Sequence, residues 1–481
     1  MSGLEELSRE ELVALVLRLR EANAALEARV RQLERLVSRN SGNSSMPPSS
    51  DDLPGRTKPA PKPAKMSGRK RGKQQGGAGS ALSWVSVPDE WVPHRPQGRC
   101  GCGAELSWAA DVGIERSHQV HDLPEVRLRV CQHDVYRVRC GCGVEHVGSL
   151  PVEVSGAPIS YGVNLQALVV YLLVYQHVPV ARCVRLIADL CGGAGPSDGF
   201  VHGMLARCAA AVGEVVTTIK TLVMLAQVVG FDETTLRCGP AGAKKYVLSA
   251  STETATVYHL GGRDLDSFAA AGILPEFAGI AVHDRYASYF HPRWDKLAGH
   301  QACCAHLLRD FADAEESYPD AHWPPQAQRG LGGLIRAWHQ ARDHGLAEIP
   351  PSVRDPLINE FRQAVRVGLA QLPRIPGPKH STKQHPGRDL LEFCRDRETD
   401  VLGFCSDTRI WPTNNISERD LRPTKTQQKI SGRFTSDNIT QDRLDIRSYL
   451  DTARKHSTNV LTALRQALMG TPWTPPHPVP T

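Results

Sequence analysis

No uninterrupted apolar run in this sequence is longer than Ala167–Tyr175. That is under half of the roughly 20 residues a helix needs to cross a bilayer, so no membrane partner is expected. The opening stretch, MSGLEELSREEL, is acidic and has no apolar core, unlike a secretory signal. An even set of cysteines is also missing. The 13 present, in a long chain without a signal, point to reduced thiols, some of them metal ligands, and away from a disulfide framework. Apolar residues are not scarce: hydrophobic residues make up 41% and charged residues 22%, ordinary globular values that argue against wholesale disorder. The 481 residues leave room for roughly two to four domains.

The most informative absence is local. Between Leu53 and Pro88 there is no acidic residue, while Arg56, Lys58, Lys62, Lys65, Arg69, Lys70, Arg71 and Lys73 are all basic. This stretch carries +8 of a total of +6, so everything else sums to −2. A basic arm of this kind suits contact with a polyanion, and a merely solubilising tether would have the same composition.

The expected organisation is multidomain. Residues 1–39 read as one helix in which Leu12, Leu19, Leu26 and Leu33 recur every seventh position, with Val16, Asn23, Val30 and Val37 four residues after each. Leucine at d with valine and one asparagine at a favours a parallel two-stranded coiled coil, the asparagine setting register. An amphipathic helix packed on its own domain is the alternative. Residues 40–82 form a basic disordered linker. Residues 83–153 look like a small β-rich module. Residues 154–226 are helical, and VARCVRLIADLCG with DGFVHGMLARCAAAVGEV has the outline of a helix–turn–helix, a pattern also met by chance. From 227 to 290, strand-like runs with a short helix between them suggest an α/β domain. Residues 291–407 are helical with no strand of comparable quality, 408–470 hold polar helices, and the Pro-rich end at 471–481 is expected to fray.

Two constellations carry chemistry. Cys100 and Cys102, with Cys140 and Cys142, make two C-G-C knuckles that could give zinc its four ligands, with Gly101 and Gly141 permitting the tight turn. Buried free cysteines are the plainer alternative. The second constellation is acidic: Asp232 within a strand, Asp284 at a strand end, and Glu418 at the start of a helix in NNISER. Taken singly each is unremarkable, and Glu418 could simply complete a capping box with Asn415. Together they suggest a divalent-cation site.

GFDETTLR, HDRYASY, CCAHLLRDF and NNISERDLRP stand in the order and approximate spacing of the insertion sequence 66 transposases, which this chain resembles; NSSMPPSSD ahead of a basic linker and the paired cysteines are also similar. The resemblance implies a bacterial DDE-type enzyme with an RNase H-like α/β catalytic core, split by a helical insertion, that cuts and joins DNA. It implies Asp232, Asp284 and Glu418 as the catalytic acids, and the long gap between the last two fits such an insertion. In-line phosphodiester cleavage of this kind uses two Mg²⁺ or Mn²⁺ ions, hard cations that prefer carboxylate oxygens. QQKISGRF departs from the family's usual segment after the glutamate.

Arg419, Arg422, Lys425, Lys429 and Arg433 follow Glu418 with only Asp420 opposing them, a run fit to hold phosphate backbone or simply a solvated face. His306 matches the family's Cys…His element and is carried as a further candidate, while the adjacent Cys303 and Cys304 read as packing. The expected partners are double-stranded DNA, at element ends and target, a second copy or higher oligomer, and small accessory proteins of the same element. The expected location is the bacterial cytoplasm, at the nucleoid. A catalytically inert or domesticated DNA-binding protein, or a nuclease that cuts without joining, are the rival functions.

Overall fold

The computed structural model describes residues 8–38, 82–151, 154, 156–193, 195–377, 384–385 and 387–476. The arm residues Lys62, Lys65, Arg69, Lys70, Arg71 and Lys73 lie outside them.

Helix α1 (Arg9–Ser38) is continuous. Leu12, Leu19, Leu26 and Leu33 are all exposed, as are Val16, Val30 and Val37, so among the described residues this apolar seam is left uncovered. Asn23, exposed on the same seam, donates to Glu27 Oε1 at 3.3 Å.

The module expected to be β-rich is largely irregular. Its only described strands are β1 (Arg137–Arg139) and β2 (Glu145–Val147), an antiparallel pair. Trp84, Trp91, Trp108, Val112 and Ile114 are exposed, so its β-prone residues have no core on which a sheet could assemble.

The helical region comprises α2 (Val163–Val170), a π-helical turn at Tyr171–Tyr175, α3 (Val180–Leu190) and α4 (Asp198–Met224). By length and composition α4 could cross a membrane. Its apolar residues instead fill the core: Val201, Met204, Val212, Ile219 and Val223 are buried. Ser197 caps it by accepting the Phe200 N–H.

The centre of the molecule is a five-stranded mixed sheet in the order β5-β4-β3-β6-β7. Its strands are β3 (Val228–Leu236), β4 (Lys245–Ser251), β5 (Thr256–Gly261), β6 (Ile280–His283) and β7 (Gly299–Ala302), with α5 (Leu265–Ala270) between β5 and β6. β3, β4 and β5 run antiparallel, and β6 and β7 lie parallel to β3 on its other side. The single run KKYVLSASTETATVYHL is thus a hairpin of two strands. β7 corrects the expectation that residues 291–407 are helical with no strand of comparable quality. GHQA contains no β-branched residue, so local propensity is silent, and the strand is held by its pairing with β6.

Val229, Phe231, Leu248, Ala250 and Val257 pack on the α4 face of the sheet, where Ile446, Tyr449 and Leu450 also sit. On the opposite face, Val228 and Val282 join the core of the insertion helices α6 (Cys304–Ser317), α7 (Trp323–Asp343), α8 (Pro351–Gln371), α9 (Arg388–Asp396) and α10 (Glu398–Leu402). Leu236, Val247 and Tyr258 form a separate cluster with Leu421 and Leu444. These last two belong to α11 (Asn415–Ser431) and α12 (Asp437–Lys455), and α13 (Val460–Leu468) follows. The start of the Pro-rich end is anchored, contrary to expectation: the Trp473 N–H donates to the Tyr449 hydroxyl at 3.0 Å, and its ring lies against His456.

Candidate active site

The alternation of β3 sends residues 228, 230, 232, 234 and 236 to one face. Val228 ends in the insertion core and Leu236 in the α11–α12 cluster, so Asp232 falls where two apolar clusters meet. Gly230 pairs with Val282 in the parallel register of β3 and β6. Two residues on, the same register sets Asp232 beside Asp284, at the carboxyl end of β6, where ligands of open α/β sheets gather.

Glu418 reaches this place by a long detour. Beyond β7 the chain turns at Cys303 into α6, passes through the insertion, and returns at Pro412–Asn414. The return is tied to the turn: the Cys304 N–H donates to Pro412 O at 2.9 Å, and the Asn414 N–H to Cys303 Sγ at 3.2 Å. Asn414 Nδ2 donates to Phe231 O at 2.6 Å, fastening the start of α11 to β3. Gly230 makes room, since a Cβ there would come within 2.4 Å of Ser417 Oγ and 2.5 Å of Asn414 Oδ1. Glu418 then lies in the first turn of α11. The capping-box alternative fails, because the N-cap is Asn414 and it makes no side-chain cap bond. Glu418 Oε1 is buried without a hydrogen-bond partner.

The electrostatics are those of acids short of compensation. Burial pushes the Asp232 carboxyl well above the usual range, and Glu233, Asp284 and Glu418 each add to the rise. Glu233, also raised by burial, points to the other face, where Arg263 Nε donates to it at 2.6 Å and the Tyr289 hydroxyl donates as well. Arg263 stands 3.9 Å from Asp284 and stacks 4.0 Å above the Tyr286 ring. Asp284 Oδ1 accepts the Tyr286 N–H at 2.8 Å. Beside Glu418 Oε1 lie His306 Nε2 at 3.9 Å and Arg309 at 3.8 Å, both from α6. Asp284 and Glu418 are thus near enough to raise Asp232, but among the described residues the three carboxylates do not come within 4.8 Å of one another, the distance at which Cys303, His306 and Glu418 gather.

Sequence reasoning missed Glu233, Arg263, Arg309 and Cys303. The acidic pair in GFDETTLR and the Cys-x-x-His spacing from Cys303 to His306 were the available signals. Cys304 does pack, buried beside the Val401 carbonyl. Cys303, however, turns toward His306 and Glu418, and the ligand atoms of the three lie within 4.8 Å of one another.

The basic run divides. Arg419, Arg422 and Lys429 are exposed along α11 and Lys425 is half-buried. Asp420, the lone opposing acid, faces inward, where Lys455 Nζ donates to it at 2.8 Å and Thr256 Oγ1 at 2.7 Å. Arg433 does not share the exposed face: its Nη1 donates to Pro240 O at 2.7 Å and Ala243 O at 3.1 Å, clamping the β3–β4 loop.

RCGCGAE and RCGCGVE adopt the same turn. Cys100 N donates to Ala104 O and Cys140 N to Val144 O, both at 2.8 Å. The left-handed residues are Gly103 and Gly143, each at φ 91°, and not Gly101 and Gly141. Hydrogen bonds from the Cys102 and Cys142 backbone and thiol lower the Cys100 and Cys140 thiols respectively, as ligand cysteines require. All four cysteines are exposed. Among the described residues, no three of these four come within ligating distance of one another. All 13 cysteines of the chain are free.

The family described as Transposase IS66 family matches residues 158–442, more than half of the chain and all of the elements that carry the acids. A family of unknown function (DUF6444) matches residues 3–83, spanning α1 and the basic arm. No curated protein matches.

Proposed function

The chain belongs to the IS66 transposase family, and from that premise we propose that it is a DDE-type transposase whose acids are Asp232, Asp284 and Glu418. Membership implies DNA as the substrate and transfer of phosphodiester bonds as the chemistry. The observation that carries the assignment is the convergence of three acids from three separate segments, with Asp232 pushed up by burial and by its acidic neighbours. The strand order, with three antiparallel strands and two parallel ones beside the first, is the order expected of an RNase H-like core and supports the same reading.

Asp232, Asp284 and Glu418 would hold two Mg²⁺ or Mn²⁺ ions, which when bound stabilise charge on the entering and leaving oxygens of an in-line displacement. The chain's own residues orient and confine. Arg263 bears on Asp284, Asn414 and Gly230 seat α11, and the exposed Arg419, Arg422 and Lys429 offer phosphate contacts beside the acids. Water attacks the phosphodiester at the element end: a P–O bond forms to the water oxygen as the P–O3′ bond breaks. One water proton ends on the departing 3′ oxygen as a free 3′-hydroxyl, and the other leaves to solvent as the new phosphate ionises. That hydroxyl attacks a target phosphodiester, forming one bond as another breaks. The exposed seam of α1 would pair two copies in parallel, so that two sites act on two ends. The basic arm would add non-specific affinity, and the two cysteine knuckles a structural zinc. With DNA as its substrate, the chain would act at the bacterial nucleoid.

The test is cleavage of a labelled element-end duplex in Mg²⁺ by the wild type and Asp232→Asn. The variant should bind DNA and fail to nick it. Cleavage by the variant at the wild-type rate refutes the assignment. Nicks without joined products would leave a nuclease, and binding without nicks by the wild type an inert relic.

A further inference from the structure

We propose that Cys303, His306 and Glu418 form a second metal site, for a borderline-soft cation such as Zn²⁺, that competes with the acid cluster for Glu418. The three residues come from the β7–α6 turn, the first turn of α6 and the first turn of α11, and their ligand atoms lie within 4.8 Å of one another. Ligands arranged tetrahedrally about zinc stand roughly 3.3–3.7 Å apart. His306 Nε2 and Glu418 Oε1, at 3.9 Å, are too far apart for a hydrogen bond and close to the separation an ion between them would impose.

Glu418 Oε1 is buried and lacks a hydrogen-bond partner, with Arg309 at 3.8 Å as an ion-pair neighbour, and His306 Nδ1, the ring nitrogen other than the one facing Glu418, is buried and unpartnered as well. Cys303 Sγ, itself buried, already accepts the Asn414 N–H at 3.2 Å, the type of contact that supports a metal-bound thiolate. Sulfur and imidazole donors suit Zn²⁺ and do not suit Mg²⁺, whereas Asp232 and Asp284 supply oxygen only. Glu418 stands at the junction of the two sets. Zinc bound by Cys303 and His306 ties its carboxylate toward α6 and away from the acids of the sheet. Zinc would therefore switch off Mg²⁺-dependent cleavage. The switch rests on the proposed role of Glu418, whereas the binding site does not.

The test uses the full chain and the variants Cys303→Ser and His306→Ala, each checked for a cooperative melt. Zinc stoichiometry is read by competition with a chromophoric chelator, with Co²⁺ absorption as a probe of thiolate ligation. The wild type should hold one more zinc than either variant, because the knuckle cysteines contribute equally to all three. In fixed Mg²⁺, rising Zn²⁺ should stop wild-type cleavage. Cys303→Ser, compared with its own zinc-free rate, should need at least tenfold more. Equal zinc counts in the three proteins overturn the site, and equal zinc sensitivity overturns the competition. Should no protein cleave DNA in Mg²⁺, the transposase reading fails, and the zinc count still decides the site.

Discussion

Gly230→Ala tests whether the seating of α11 on β3 controls the acid cluster. An added Cβ would stand 2.4 Å from Ser417 Oγ and 2.5 Å from Asn414 Oδ1, against a practical lower limit of 3.0 Å. About 0.6 Å must therefore be found. Asn414 cannot swing aside without giving up its 2.6 Å bond to Phe231 O, and both Asn414 and Ser417 are buried. The remaining response is a shift of the first turn of α11, which carries Glu418. Overpacking of this size costs about 1–3 kcal/mol, or about 2–4 °C of Tm per kcal/mol in a core of 150–250 residues. Displacing a reacting group by a sizeable fraction of an ångström can lower the rate about 10²-fold. The assay is end-nicking in Mg²⁺ at a temperature where the variant is folded, beside a thermal melt. Gly203→Ala and Gly213→Ala in α4 serve as controls, since nothing lies within 4 Å of either new Cβ. They should gain about 0.5–1 kcal/mol. Wild-type Tm and rate for Gly230→Ala would refute the steric argument. A lowered Tm with an unchanged rate would refute the link between α11 and the acids.

Three further outcomes are expected. Asp232 has its pKa raised in the folded state, so its stabilising contribution is present below the ordinary value of 3.8 and is lost as pH rises through the folded value. In metal-free buffer Asp232→Asn should therefore melt above the wild type at neutral pH, with the gap closing as pH falls toward 3.8. A wild type that melts higher throughout contradicts the repulsion. Lys455→Ala leaves Asp420 buried without its cation and should cost about 3–5 kcal/mol in denaturant unfolding, where a loss under 1 kcal/mol would show that water replaces the lysine. Arg422→Ala with Lys429→Ala should lower the slope of log affinity against log salt by about 1.8 if each residue neutralises one phosphate, and an unchanged slope would put DNA elsewhere.

Much of the candidate site was legible because its residues break a local pattern. Asp232 interrupts a strand of apolar residues, Asp284 ends another, and Glu418 stands in the polar NNISERDLRP; each alone has a bland explanation, and only the three together point to a site. Cys303 was not legible, because two adjacent cysteines look alike until the turn into α6 sends one to the insertion core and the other to Glu418. β7 was missed because GHQA has nothing that favours a strand on its own. Arg433 and Asp420 were misjudged for a related reason: charge along a sequence does not say which side of a helix meets the body. Trp473, in a Pro-rich end that invites fraying, is held by Tyr449 from a helix the local pattern cannot see.

By itself the sequence determined the elements with strong periodicity or punctuation, namely the heptad helix, the strand bearing Asp232, the helix bearing Glu418 and the twin glycine–cysteine turns. These follow from interactions within a few residues, which composition and spacing record. Only the tertiary structure decided that β6 lies beside β3 and brings Asp284 near Asp232, the return of Glu418 from beyond the insertion, and the approach of Cys303 and His306. Those depend on strand register and on the packing of α11 over Gly230, contacts between residues far apart in the chain, whose energies no local window contains.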